Sequence, residues 1–422
     1  MAWLDKIHHP EKYVAWFGKW ALLSVLMGLL GGALGAVFHH ALHFVTHLRQ
    51  AHNWLVLLLP IGGLLSVAWY RLLKLKKNRG TNEIIDAVLD GEELKPQIAP
   101  GIFGAAMLTH LFGGSAGREG AALQLGGSVA SILSRILKLQ RDDRRVLIMA
   151  GMSAVFAGLF GTPLTAALFC MEFESVGTIF SPALLPCYLA AFTASSLSAS
   201  LGVHAEVFPI NTHFAFTAVS NFHILILSVG ISLVGIAMCY LFHEADRLAH
   251  EKLPNTWVRI AVGGTLLVLL TLLAGDQRYN GAGMDMAVGA LNGQAKGYDF
   301  ILKLVFTGIT LAAGFKGGEI VPTFCIGATF GCFLGGLLGM DAGFAAALGL
   351  IGLFCSVTNS PISAIVLSVE MFGSTNLSIF AFVCVIVFVL SGNWGLYSSQ
   401  IIQFSKARLV RKEHNRDAEM KW

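Results

Sequence analysis

Reactive side chains are concentrated in one stretch of this 422-residue chain: Gly113-Gly114-Ser115-Ala116-Gly117-Arg118-Glu119-Gly120, followed by an apolar run from Ala121-Ala122-Leu123. It sets an arginine and a carboxylate into a glycine-rich break between two apolar segments. Charge in lipid is costly unless it faces a water-filled path or a bound ion. A helix that starts just after such a break turns free backbone N–H groups, and the positive end of its dipole, toward an anion. Broken apolar segments whose half-helix ends meet at mid-membrane are how ion transporters build their sites. Glu119 is therefore read as the central functional carboxylate, with the N–H groups of Gly120 and Ala121 as donors beside it. The plainer reading, an ion pair with Arg118, fails on geometry, because sequence neighbours do not face each other on a helix.

A second stretch has the same character. Gly317-Gly318-Glu319-Ile320-Val321-Pro322 again joins a glycine break to a carboxylate and an apolar run. Further landmarks recur around the two. Phe156 is followed by Pro163 after seven residues and Glu172 after nine more, and Phe354, Pro361 and Glu370 repeat both intervals. Glu119 precedes Pro163 by 44 residues and Glu319 precedes Pro361 by 42. Upstream, Gly80 lies 39 residues before Glu119, and Gly281 lies 38 before Glu319. Landmarks in one order at nearly one spacing mean two related halves that meet near the site, as in many secondary transporters. Glu172 and Glu370, at matched ends of apolar helices, read as packing or capping groups rather than transport groups.

The composition fits such elements. The chain is 55% hydrophobic and 13% charged, against about 25% charged in soluble domains, with mean hydropathy +0.68. This is a polytopic membrane protein that contacts lipid. Its 47 glycines permit close helix contacts in the membrane. The net charge of +4 matters less than its distribution. Basic clusters at Lys6 to Lys19, Arg71 to Arg79 and Lys406 to Lys412 place both termini in the cytoplasm by the positive-inside rule. The seven cysteines lie in apolar stretches without a CxxC pair, so no metal or disulfide is expected. There is no H-E-x-x-H and there are no clustered metal ligands, so no enzyme or cofactor is expected, nor is a nucleic-acid partner.

The apolar runs predict the following organisation. Residues 1–17 form an interfacial segment anchored by Trp3, Tyr13 and Trp16. Residues 18–242 form a first transmembrane repeat, with spans near 18–46, 54–73, 101–112, 121–138, 146–170, 183–202 and 222–242. The charged stretch 243–259 connects the halves. Residues 260–403 form the second repeat, with spans near 260–274, 301–315, 323–339, 343–370 and 378–391, and 404–422 is a short cytoplasmic tail. The segment Lys74 to Pro100 reads as a polar loop.

These residues resemble the CLC family of chloride channels and proton-coupled anion antiporters over about 18–403. Gly117-Arg118-Glu119-Gly120 is similar to the family's Gly-Arg-Glu-Gly-Pro signature. Gly317 to Pro322 stands where the family has Gly-x-Phe-x-Pro, and Leu396-Tyr397-Ser398 resembles its tyrosine motif. There are departures. Ala121 replaces the proline, Asn78 to Glu83 replaces a Gly-Ser-Gly-Ile-Pro loop, and Glu319 takes the phenylalanine position. Phe173 stands where many of the antiporters have a second carboxylate. The run His110 to Gly120 and the Gly-Gly-Glu of the second motif resemble the fluoride/proton antiporter branch. Where that branch commonly has threonine, this chain has Val321, and where it has threonine or valine, Ala121.

The resemblance implies an all-α fold of two inverted-topology repeats with broken and tilted helices, assembled as a homodimer with one pathway per subunit. It implies exchange of fluoride for protons across a bacterial-type inner membrane, with a chloride (halide)/proton antiporter or a passive anion channel as alternatives. Glu119 then acts as a tethered anion that competes with the substrate for one site and swings out when protonated. Gly117, Arg118, Gly120, Ala121, Ile320 and Val321 line that site, and Tyr397 donates to it. Thr81 and Asn82 add polar contacts from the first loop. Glu319 holds a proton, accepts hydrogen bonds from HF or repels chloride; its alternative is a structural pair with Lys316. His110 reads as a helix residue rather than a proton relay.

Overall fold

The computed structural model describes residues 10–75, 79–208, 210, 217–406 and 408–411. Trp3, Asn78 and the end of the tail, with Lys412, lie outside these. Sixteen α-helices occur among the described residues. The first eight are α1 (Pro10–Ala51), α2 (Leu59–Leu72), α3 (Thr81–Asp90), α4 (Ile98–Leu111), α5 (Glu119–Ile136), α6 (Arg141–Phe160), α7 (Pro163–Glu172) and α8 (Leu184–Ser200). The second eight answer them in order: α9 (Ala218–Lys252), α10 (Thr256–Ala274), α11 (Met284–Leu291), α12 (Asp299–Ala313), α13 (Ile320–Leu337), α14 (Ala342–Thr358), α15 (Pro361–Phe372) and α16 (Leu377–Leu390). Among the described residues, six segments are long and apolar enough to cross a membrane, and five shorter apolar helices accompany them. The chain is an integral multi-pass membrane protein.

Corresponding helices run in opposite directions. α2 and α10 pack side by side. One cavity is lined by Asn53, just before α2, and by Asp276, just after α10. A second is lined by Arg71 at the end of α2 and Thr256 at the start of α10. α1 ends at the first cavity with Arg49, and α9 ends at the second with His250. The two halves are therefore an inverted pair.

The pairs α5/α6 and α13/α14 cross at matched glycines. A Cβ on Gly126 would lie 2.1 Å from the Gly151 carbonyl oxygen, and one on Gly349 would lie 2.1 Å from that of Gly327. With no side chain at these points the backbones touch, and helix packing in lipid depends on such contact.

α7 and α15 also form a reciprocal pair. The Glu172 carboxylate accepts from the backbone N–H groups of Ile362 (3.0 Å) and Ser363 (2.8 Å) and from the Ser363 hydroxyl (2.5 Å). Glu370 accepts from Leu164 (3.0 Å) and Thr165 (2.8 Å). Each glutamate caps the other helix's start, where free N–H groups and the dipole favour an anion.

Several boundaries differ from the sequence expectation. The spans expected at 146–170 and 343–370 are each two helices. Gly161 (φ +70°) and Asn359 (φ +58°) end α6 and α14 in the left-handed region, and Pro163 and Pro361 start the next helices. The segment expected as a polar loop contains α3, and its counterpart α11 is only eight residues long, too short to stand out as a span. The segment 243–259 is not a connection, since α9 continues to Lys252. By helix matching the second repeat begins with α9, and the halves join between Ser200 and Ala218. The boundary at residue 17 falls inside α1; Tyr13 and Trp16 are exposed on it.

After α16 the chain folds back. β1 (Ser175–Val176) pairs in parallel with β2 (Ile401–Ile402), and β3 (Phe404–Ser405) pairs antiparallel with β4 (Arg408–Arg411).

Candidate functional site

The N-termini of α5 and α13 meet where the two halves touch. Gly117 and Gly318 form an isolated antiparallel bridge, with Gly117 N–H donating to the Gly318 carbonyl at 2.7 Å and the reverse at 2.8 Å. A side chain at either position would displace the atoms of the site. A Cβ on Gly117 would sit 2.3 Å from Glu119 Oε2, and one on Gly318 would sit 2.6 Å from both Glu119 Oε2 and the Gly120 nitrogen. The glycines thus serve close approach, bringing two helix starts and one carboxylate into a space that larger residues would fill.

Glu119 is the first residue of α5 and is 0% exposed. Neither carboxylate oxygen has a hydrogen-bond partner among the described residues. A carboxylate buried in this way must be offset by helix ends or by a proton. Gly120, Ala121, Ile320 and Val321 are all buried at these helix starts, and the first-turn N–H groups of a helix have no intrahelical acceptor.

Glu319 differs from Glu119 in register. The bridge aligns Gly117 with Gly318, so Glu319 is the cap residue that corresponds to Arg118, while Glu119 corresponds to Ile320. Glu319 and Lys316 are not an ion pair; the Lys316 ammonium lies over the Tyr70 ring, 5.2 Å from its centroid. Glu319 Oε2 is buried without a partner. Tyr397 and the two carboxylates are within electrostatic reach of one another. The Tyr397 hydroxyl is also buried and unpartnered, and its ring meets Phe173 edge-on at 5.9 Å. Phe173, at the position where a second carboxylate is absent, thus helps hold the tyrosine.

The remaining expected residues divide. Thr81 is buried, with its hydroxyl oxygen 3.0 Å from where a Cβ on Gly120 would lie. Asn82 is turned elsewhere: its Oδ1 accepts from the Ser399 N–H at 3.0 Å, which ties the first loop to the tyrosine segment. Arg118 directs its guanidinium away from Glu119. It pairs with Glu206 and lies over the Phe160 ring at 4.7 Å. His110 bonds the Ala106 carbonyl at 2.9 Å within α4.

Sequence reasoning missed a polar scaffold behind the glycine break. The fully buried Lys303 donates to Ser115 Oγ (2.9 Å) and to the carbonyls of Tyr279 (3.1 Å) and Gly281 (2.7 Å). Ser115 N–H donates to Thr310 Oγ1 at 3.0 Å, and its hydroxyl bonds Thr307 Oγ1 at 2.9 Å. The first half's break is therefore shaped by α12 of the second half. A lysine within an apolar run was the available signal.

The two cavities converge on this site from opposite ends of α2 and α10. One, of about 520 Å³, reaches Arg118, Val321 and His110. The other, of about 900 Å³, reaches Lys316 and is lined by Arg71, Arg79 and Arg259. Glu119 lines neither.

Residues 62–391 match the family model described as voltage gated chloride channel. A "chloride/fluoride channel protein" of Pseudomonas syringae pv. tomato is 32% identical over 99% of this chain and 94% of its own length. An H⁺/Cl⁻ exchange transporter of Vibrio cholerae is 25% identical, over 83% of this chain and 81% of its own. Among solved structures, a CLC-type fluoride/proton antiporter superposes with TM-score 0.88 at 34% identity, covering 91% of this chain and 98% of that one. A cyanobacterial Cl⁻/H⁺ antiporter shares the fold, with TM-score 0.75 at 20% identity, covering 88% of this chain and 94% of that one.

Proposed function

The chain belongs to the CLC family of voltage-gated chloride channels, and from that membership we propose that it is an anion/proton antiporter that exports fluoride in exchange for protons. The observation that carries this reading is Glu119. It is a fully buried carboxylate with no hydrogen-bond partner, at two abutting helix starts and between two opposed cavities. Ionised, it occupies the place of an anion and separates the cavities. Protonated, it loses the attraction of the helix ends and yields that place. One site serving either a carboxylate or an anion couples proton movement to anion movement.

The fluoride assignment is supported by the "fluoride/proton antiporter" to which the chain is similar and by Glu319, a second carboxylate beside the site. A small, hard anion needs strong donors to offset lost hydration, and the N–H groups of Gly120, Ala121, Ile320 and Val321 are suited to this. Chloride exchange is the second reading. It is favoured by Val321, which places an apolar side chain where a hydroxyl would assist fluoride. The basic cavity at Arg71 and Arg79 is assigned to the cytoplasmic side in a bacterial-type inner membrane. The protein is expected to work as a homodimer with one pathway per subunit.

The test is ion flux from proteoliposomes under a proton gradient, fluoride against chloride, with a pH readout. Fluoride efflux is expected to exceed chloride efflux and to drive protons uphill, and Glu119→Gln is expected to abolish the proton movement. Uphill proton transport by Glu119→Gln would overturn the role of the carboxylate. Fluoride flux no faster than chloride flux would remove the fluoride assignment.

A further inference from the structure

The last turn of α1 carries a buried guanidinium, that of Arg49. Arg49 is only 6% exposed, its Nε has no hydrogen-bond partner, and no carboxylate among the described residues pairs with it. The opposing charge acting on it, Asp285, does so from beyond ion-pair distance. A cation at a helix C-terminus is favoured by the dipole, which explains why the group is tolerated there. That attraction leaves its N–H donors unused, and an unused buried donor is costly.

The path of the side chain is cleared for it. A Cβ on Gly113 would lie 3.3 Å from Arg49 Cδ, and one on Gly281 would lie 3.1 Å from Nη2. Gly113 opens the glycine break that leads to Glu119, and Gly281 belongs to the loop before α11. The two loops are tied where the arginine crosses them, since Asn280 Nδ2 donates to the Gly113 carbonyl at 2.9 Å.

Arg49 lines the 520 Å³ cavity together with Arg118, Arg278, His110 and Val321. Two of its three arginines are committed: Arg118 pairs with Glu206, and Arg278 pairs with Asp299 at 2.8 Å. Arg49 is the one whose charge has no ion-pair partner among the described residues. A guanidinium presents a fixed fork of donors that suits an anion.

We infer that Arg49 anchors an additional anion-binding site in this cavity, distinct from the position that Glu119 contests, where a small inorganic anion is held on its way to or from the helix starts. That the occupant is the transported ion rests on the antiport reading above; the site itself takes fluoride or chloride.

The test uses full-length wild type, Arg49→Gln, Arg49→Lys and Arg49→Cys in proteoliposomes, with initial rates measured against anion concentration on each side. Arg49→Gln is expected to raise the half-saturating concentration about tenfold on one side only, the scale of one charge-assisted hydrogen bond, with the maximal rate retained. Arg49→Lys is expected to keep most of the affinity. A cationic methanethiosulfonate reagent is expected to restore Arg49→Cys and an anionic one to leave it impaired, a charge dependence that a packing role would not produce. Should Arg49→Gln fail to fold, the lysine and cysteine variants decide. Unchanged half-saturation on both sides, or equal restoration by either reagent, would overturn the site. If the wild type carries chloride in preference to fluoride, the fluoride reading falls and Arg49 is tested with chloride. If the wild type carries fluoride and the variants do not change its half-saturation, only the Arg49 site falls.

Discussion

Adding one methyl group to either glycine of the central bridge should have opposite consequences. In Gly318→Ala the new Cβ would lie 2.6 Å from the Gly120 nitrogen and 3.0 Å from that of Glu119. These are backbone atoms at the start of α5, so no rotamer change relieves the contact. Reaching ordinary contact at 3.4 Å requires a separation of about 0.8 Å. The bridge hydrogen bonds, 2.7 and 2.8 Å long, would then be stretched to the limit of such bonds. Losing two of them costs about 1 kcal/mol each, and more where the groups are buried. Because the N–H groups of the site shift with the helix start, turnover should fall about 10- to 100-fold. In Gly117→Ala the closest atom is instead Glu119 Oε2, at 2.3 Å, the far end of a side chain that can rotate. That variant should displace the carboxylate and keep anion flux while lowering the protons moved per anion. The assay is simultaneous anion efflux and proton uptake in proteoliposomes. Wild-type turnover with full coupling in Gly318→Ala would refute the claim that apposed helix starts form the site.

Two further outcomes follow from the same geometry. Glu172→Gln and Glu370→Gln should each lower thermal stability in detergent and leave the proton-to-anion ratio unchanged, since each carboxylate caps a helix of the opposite half; a changed ratio would mean that either group carries protons. The tail should respond to pH through Lys406, which donates to Asn359 Oδ1 (2.6 Å) and Ser391 Oγ (3.1 Å). Burial pushes this ammonium down to about 8 from 10.5. Because the docked form binds the proton less tightly than the free form, docking is weakest below about 8. It should strengthen as pH rises from about 8 toward 10.5. The protection factors of the amides from Tyr397 to Lys406, taken against the intrinsic exchange rate at each pH, should rise over that window, and protection that falls instead would contradict this.

Much of this architecture can be read from residue type and spacing. The glycine breaks, the two glutamates and the repeated Phe–Pro–Glu intervals mark two related halves because lipid tolerates broken helices and charge in so few settings. The capping role of Glu172 and Glu370 was also legible, as carboxylates at matched helix ends. The short helices α3 and α11 were not, because eight to ten residues carry too little periodicity to stand out from a loop. The breaks before Pro163 and Pro361 were masked by apolar residues on both sides, although a left-handed residue followed shortly by proline was the signal.

Residue type and spacing show which groups could act: a carboxylate at a helix start, its second-half relative, a tyrosine after a glycine break and a surplus of glycine. Which of them act together was decided only by the tertiary structure, since the partners lie far apart along the chain. The Gly117–Gly318 bridge makes Glu319 the counterpart of Arg118 rather than of Glu119. Arg118 turns to Glu206, Asn82 to Ser399, and Lys303 reaches across to Ser115. Local pattern sets the conformation and polarity of each segment; the partner that satisfies a buried charge is set by packing between halves, which no local spacing encodes.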